Sequence, residues 1–149
     1  VQTCALPICI KDMCASVVRL RLSIGDNFVE RFSGDGVVIA TSAGSTAYNY
    51  SLDGCIVDPR VEAMQLTPIA PINSRAYRSF TSSLMFPPSY SIYVSPEGDG
   101  NSTLGVYADG RETNRGIVKW VRVGLCEKKI NVVRRADYDF WSKVESKFL

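Results

Sequence analysis

The chain has 149 residues, 46% of them hydrophobic, and a formal net charge of +2 with acids and bases interspersed. That length supports one domain with a true core, and it carries neither a membrane-spanning apolar run nor a basic stripe suited to nucleic acid. Histidine is absent, which removes a Ser-His-Asp triad, a histidine general base and histidine-ligated zinc.

Residues 1–8, Val1 to Ile8, read as the translation of a common sequencing adapter. They are therefore expected to be an assembly scar outside the fold, with a native chain that extends further upstream. The domain is expected over 9–149. Cysteines at 4, 9, 14, 55 and 126 form no Cys-x-x-Cys pair, a pattern that fits reduced thiols in the cytoplasm.

From Ser16 to Ile24, Val18, Leu20, Leu22 and Ile24 alternate with mostly polar neighbours, as in a strand buried on one face. Gly25-Asp26-Asn27 turns the chain and Phe28 to Phe32 is expected to pair back as a hairpin. A β-branched run, Val37 to Ala40, follows as a buried strand. Gly44 to Leu52 could start a helix with Ser45 as its N-cap. Glu62 to Ala70 and Tyr90 to Val94 read as strands, and Asn73 to Ser83 as a surface excursion between them. Pro96 to Asn101 has the composition of a hairpin tip, with Thr103 to Ala108 returning. Asp109-Gly110 marks a turn, and Ile117 to Cys126 is expected to pair with Ile130 to Arg134. Asp137 is a good N-cap for a last helix whose Phe140, Trp141, Val144 and Phe148 share one face.

Strands and turns without strand-helix alternation exclude a doubly wound sheet. The fold class is mainly β, an antiparallel β-sandwich-like domain with a short internal helix and a C-terminal helix.

The richest stretch is Gly34 to Leu52, where a buried strand leaves through a Gly/Ser/Thr turn that can offer N–H groups and hydroxyls to a polar ligand. Gly34-Asp35-Gly36, the strand, then Thr41-Ser42-Ala43-Gly44-Ser45-Thr46-Ala47-Tyr48 and Ser51 resemble the NAD-binding signature of the ATP/polyphosphate-dependent NAD kinases. Ile56 to Pro59, Met64 to Pro71 and Asp109-Gly110 are similar to further family segments, so the resemblance runs from about Lys11 to the end. It implies a C-terminal NAD-binding domain whose Gly-Gly-Asp-Gly partner domain, with the catalytic aspartate, lies upstream. The whole enzyme would transfer a phosphoryl group from ATP or polyphosphate, with Mg²⁺ on the donor, to the adenosine 2′-hydroxyl of NAD, giving NADP.

Carried over residue by residue, Asp35 would contact a ribose of NAD, while Ala43, Thr46, Ala47 and Tyr48 would line the dinucleotide pocket. Ser51 would meet the nicotinamide end, Ala70 and Ile72 would approach NAD held by a neighbouring subunit, and Asp109 would be a further contact. Without the resemblance these residues read as a turn aspartate, cap and core positions, and strand-end residues. Two departures stand out: Ser42-Ala43 replaces the usual Pro-Thr/Ser, and Asp53-Gly54 replaces Gly-Gly. The resemblance also implies a homodimer or homotetramer, with aromatics between Tyr77 and Tyr93 as interface candidates. The alternatives are a lipid kinase of the diacylglycerol or sphingosine type and a non-catalytic nucleotide-binding β-domain.

Overall fold

The computed structural model describes residues 8–12, 17–75, 78–98, 104–114, 117–128 and 131–148. Two antiparallel sheets pack face to face. The first contains β1 (Ile8–Asp12), β4 (Gly36–Thr41), β5 (Met64–Ile69), β6 (Leu84–Phe86), β8 (Leu104–Ala108) and β9 (Arg111–Asn114), in the order β6-β5-β4-β1-β8-β9. The second holds β2 (Val18–Ile24), β3 (Asn27–Gly34), β7 (Ile92–Pro96) and β10 (Val121–Val123), in the order β10-β7-β2-β3. Helix α1 spans Phe140–Phe148, and a single 3-10 turn covers Tyr50–Leu52.

The alternation in β2 does what its period requires: Val18, Leu20 and Leu22 are buried while Arg19 and Arg21 face out. From the facing sheet, Ile10, Val37, Ile39, Leu66 and Leu104 close the core. Phe32 joins it from β3 and packs against Phe80, with ring centroids 5.6 Å apart. Burying each such side chain contributes about 1.5–3 kcal/mol. β4 does not alternate, and Gly36 to Ala40 are all buried. Val37 and Ile39 face the core, whereas Val38 and Ala40 face outward yet are covered by the segment that follows the strand. This second covering layer positions the candidate site.

The expected β2–β3 hairpin is present, with Leu20 opposite Phe32 and a bulge between Leu22 and Ser23. Three local expectations are corrected. No α-helix follows Ser45; the chain makes successive turns there, and the short internal helix is the one 3-10 turn. β7 and β8 are not a hairpin, because β7 pairs with β2 and β10 and β8 pairs with β1 and β9, in the other sheet. Residues 131–134 form no strand and are exposed; β10 pairs with β7 instead. The helix cap moves as well. Asp139, not Asp137, accepts the Ser142 N–H at 2.8 Å, and Asp137 pairs with Arg135.

Ile8 is part of β1 and pairs with Ile39 and Ala108. Residues 1–7, Cys14, Ser16, Tyr77, Thr103 and Ile130, and the tip at 99–101, lie outside the described residues. Among the described residues no disulfide joins Cys9, Cys55 and Cys126.

Candidate functional site

After Thr41 the chain folds back over the outer face of the first sheet. Turns close it locally: the N–H groups of Gly44, Ala47 and Tyr50 donate to the carbonyls of Thr41, Gly44 and Ala47 at 3.0, 3.1 and 2.9 Å. Ser45 does not cap a helix. Its buried hydroxyl accepts the Val57 N–H at 3.0 Å and so joins the outgoing and returning limbs of the loop. The Ser42 hydroxyl donates to the Val61 carbonyl near the loop's base.

Asn49 is the hub. It is wholly buried; its Oδ1 accepts from the Thr67 hydroxyl on β5 at 2.6 Å, and its Nδ2 donates to the Ser45 and Cys55 carbonyls at 3.2 and 3.5 Å. Gly54 lies so close that an added Cβ would sit 2.2 Å from the Asn49 Nδ2. Gln65 reinforces the seam by donating to the Cys55 carbonyl at 3.0 Å. With its interior pinned, the loop turns Thr46 and Ala47, half-buried, and Tyr48 and Ser51, exposed, toward its outer rim. Ala43 is exposed at the start of the loop.

Asp35 stands at the other end of β4. The Asp35 N–H donates to the Ile69 carbonyl at 3.0 Å, and the Ile72 N–H donates to the Ser33 carbonyl at 2.8 Å. Those two bonds bring Asp35, Ala70 and Ile72 into one patch. Gly34 is required there, since a Cβ would fall 2.8 and 2.9 Å from the carbonyl oxygens of Ile69 and Ala70. Gly36 pairs with Ile69 and Thr41 with Met64, so five strand steps, about 17 Å, separate the Asp35 patch from the loop's base. Asp109 is apart from Asp35: it follows Ala108, which pairs with Ile8, at the end of the sheet where β4 finishes. The nine expected residues thus fall into an Asp35-Ala70-Ile72 patch, a loop rim, and Asp109 near the loop's base.

Backbone strain marks the same places. Among the described residues, the non-glycine positions with positive φ are Asp53 (58°), Ala70 (43°) and Asp109 (53°), two of which are expected site residues. Such conformations cost about 1–3 kcal/mol each and gather at binding sites.

Helix α1 braces the loop from outside. Phe148 packs against Tyr50 with ring centroids 4.5 Å apart and planes tilted by 53°, and Val144 is buried. Arg60 grips Asp58 with two bonds, Nε to Oδ1 at 2.9 Å and Nη2 to Oδ2 at 2.6 Å. That guanidinium holds the Asp58 carboxyl at about 2, well below its usual range. The Ser142 N–H and hydroxyl likewise lower Asp139 at the helix start.

Residues 8–135 match the family model described as the ATP-NAD kinase C-terminal domain. The chain belongs to this family. The NAD kinase of Pediococcus pentosaceus is 39% identical over 126 residues, which cover 85% of this chain and 47% of that protein. The chain therefore spans about half the length of the curated relatives it matches. Among solved structures, yeast NADH kinase complexed with NADH superposes with a TM-score of 0.64 at 29% identity, covering 81% of this chain and 35% of that one. An NAD kinase from Archaeoglobus fulgidus in complex with ATP gives 0.67 at 25% identity, covering 83% and 46%.

The departures from the family signature have local explanations. Ser42 replaces proline and uses its hydroxyl to tie the loop's base, whereas Ala43 offers no hydroxyl. Asp53 adopts the left-handed turn itself, leaving Gly54 as the glycine that contact with Asn49 demands. Sequence reading missed Asn49 and Thr67. An asparagine in a Gly/Ser-rich turn looks like turn chemistry, and only the fold over β5 buries it. Among the aromatic interface candidates, Phe86 and Phe80 pack with the core, while Tyr90 and Tyr93 are exposed. Among the described residues no three His, Cys, Asp or Glu gather as a metal site. No helix among them is long and apolar enough to cross a membrane.

Proposed function

We propose that this chain is the dinucleotide-binding portion of an NAD kinase, whose whole enzyme transfers a phosphoryl group from ATP or polyphosphate to the adenosine 2′-hydroxyl of NAD. The observation that carries this reading is the pinned loop: the family signature lies on a rim held by Asn49, Ser45 and α1, with Thr46, Ala47, Tyr48 and Ser51 outermost. A preorganised rim holds a flexible dinucleotide at lower entropic cost than a mobile loop.

In this reading the Thr46 and Ser51 hydroxyls and the Tyr48 ring bind and orient NAD. The Asp35 carboxylate accepts hydrogen bonds from ribose hydroxyls, with Ala70 and Ile72 supplying apolar contact. Because the Asp35 patch and the loop base stand at opposite ends of β4, the reading assigns them to dinucleotides shared between subunits of a homodimer or homotetramer. Tyr90 and Tyr93 are the remaining aromatic candidates for that interface. In this reading Mg²⁺ would be carried by the donor phosphates, and no step is assigned to it here. The reaction is placed in the cytoplasm, where its dinucleotide substrate and reduced thiols agree.

The test is NADP formation by the full-length protein with Mg-ATP and NAD. Wild type should form NADP, and Asp35→Asn should cut turnover sharply with an unchanged melting temperature. Phosphorylation of a lipid without NADP would establish the diacylglycerol- or sphingosine-type alternative, and binding of NAD without any turnover would favour a non-catalytic domain.

A further inference from the structure

The outer face of the second sheet, on the opposite side of the sandwich from the loop, carries an open cleft of about 840 Å³. That is within the volume of pockets that hold small ligands, about 300–1,000 Å³. Its charged lining is Arg19, Arg21, Arg31 and Arg78 against Glu30 and Glu97. We propose that this cleft binds a small oligophosphate, a ligand with two or more linked phosphate groups.

Register carries the inference. The β2–β3 ladder sets Arg21 directly opposite Arg31, and the β2–β7 ladder sets Ser95, not an acid, on the other side of Arg21. Like charges directly opposite one another on a sheet are unfavourable, so this pair costs stability unless a counter-charge meets it. The carboxylates nearby do not neutralise the Arg21–Arg31 pair. Glu97 meets the Arg31 Nε at 2.7 Å, but the two side chains are 66% and 38% exposed, a weak pair in water. Glu30 accepts the Phe80 N–H at 3.2 Å, which directs it to the backbone beside β3.

Arg21 is also held in shape. Its guanidinium lies 4.5 Å from the centroid of the Phe28 ring, which fixes the plane of its donor fork. Two arginines opposite each other, with Cβ atoms about 5 Å apart, present two donor forks to one ligand; a carboxylate meets both only by sharing its two oxygens, whereas linked phosphates give each fork an oxygen pair of its own. A phosphate offers three oxygens and its linked neighbour more, whereas a carboxylate offers two. Ser33 lines the cleft, and its carbonyl holds the Ile72 N–H, so the cleft borders the Asp35 patch without containing it.

Titration calorimetry on the full-length protein tests the proposal with tripolyphosphate, ATP and hexaglutamate as separate probes. Tripolyphosphate should bind in low salt, weaken as salt rises, and lose about tenfold or more in affinity in an Arg21→Gln/Arg31→Gln variant. Arg21→Lys keeps the charge without the fork and should give an intermediate loss, which covers the case of a poorly folded double variant. If ATP shows the same dependence on Arg21, the source is a nucleotide tail; if tripolyphosphate alone does, it is an inorganic chain. Equal tripolyphosphate affinity in wild type and both variants overturns the proposal. So does tighter binding of hexaglutamate, which assigns the face to an acidic protein, or a change of oligomeric state in the variants without any change in tripolyphosphate binding.

Discussion

Replacing Asn49 with alanine removes the hub on which the loop depends. Asn49 is fully buried and makes firm side-chain hydrogen bonds to Thr67 at 2.6 Å and to the Ser45 carbonyl at 3.2 Å, with a longer one to Cys55 at 3.5 Å. Two good bonds at about 1 kcal/mol each, plus a fraction for the long one and for lost packing, give about 2–3 kcal/mol. The damage is limited because Thr67 keeps Ser83 at 2.7 Å and the Cys55 carbonyl keeps Gln65. For a protein of a few hundred residues the melting temperature should fall by roughly 4–12 °C. Urea unfolding of Asn49→Ala, Thr67→Val and the double variant measures the pair directly, with an expected coupling of about 1 kcal/mol. A shift below about 0.5 kcal/mol for Asn49→Ala, the range of ordinary surface changes, would refute the hub. Under the proposed function the same variant should raise the Michaelis constant for NAD more than it lowers turnover, because the loop rim, not the chemistry, is disturbed.

Gly54→Ala should destabilise by about 1–3 kcal/mol through its overlap with Asn49 at 2.2 Å, and it should lose most of that penalty in an Asn49→Ala background, as read from denaturant midpoints. Ala70→Gly should instead raise stability by about 0.5–1 kcal/mol by relieving the left-handed φ of 43°, whereas Ala70→Val should lower it, both visible in thermal melts. The Asp58–Arg60 pair on the returning limb of the loop should depend on acid. Asp58 is lowered from 3.8 to about 2 by Arg60, so its contribution is complete above pH 3.8 and is lost as pH falls toward 2. Urea unfolding should therefore show a loss of stability in that window, and Asp58→Asn, which lacks the charge, should be less stable at neutral pH and show no such loss in acid. Phe32→Ala, which empties the centre of the core beside Phe80, should cost about 3–5 kcal/mol in urea unfolding.

Much of the fold is determined by periodicities that the chain states openly. β2 alternates because one of its faces is buried, the Gly-Asp-Asn turn joins it to β3, and the uninterrupted run in β4 announces a strand covered on both sides. The family signature, too, is legible as letters alone. Sheet membership is not. Pro96 to Asn101 is composed like a hairpin tip, yet β7 and β8 belong to different sheets, because a loop's composition records that the chain turns and not which strand receives it next. The helix expected after Ser45 fails for a related reason: Ser45 and Asn49 satisfy Val57 and Thr67, partners twelve and eighteen residues away, and those bonds replace the local ones a helix would need. Tertiary structure also decided how the site residues are grouped. The chain names Asp35, Thr46, Ser51, Ala70 and Ile72 as candidates, but it takes two backbone bonds, Asp35 to Ile69 and Ile72 to Ser33, to join Asp35 with Ala70 and Ile72, and a buried loop asparagine bonded to β5 to set the others on a separate rim. Periodicity is a local property of the chain, whereas those groupings depend on pairings between distant segments that only burial against a common core selects.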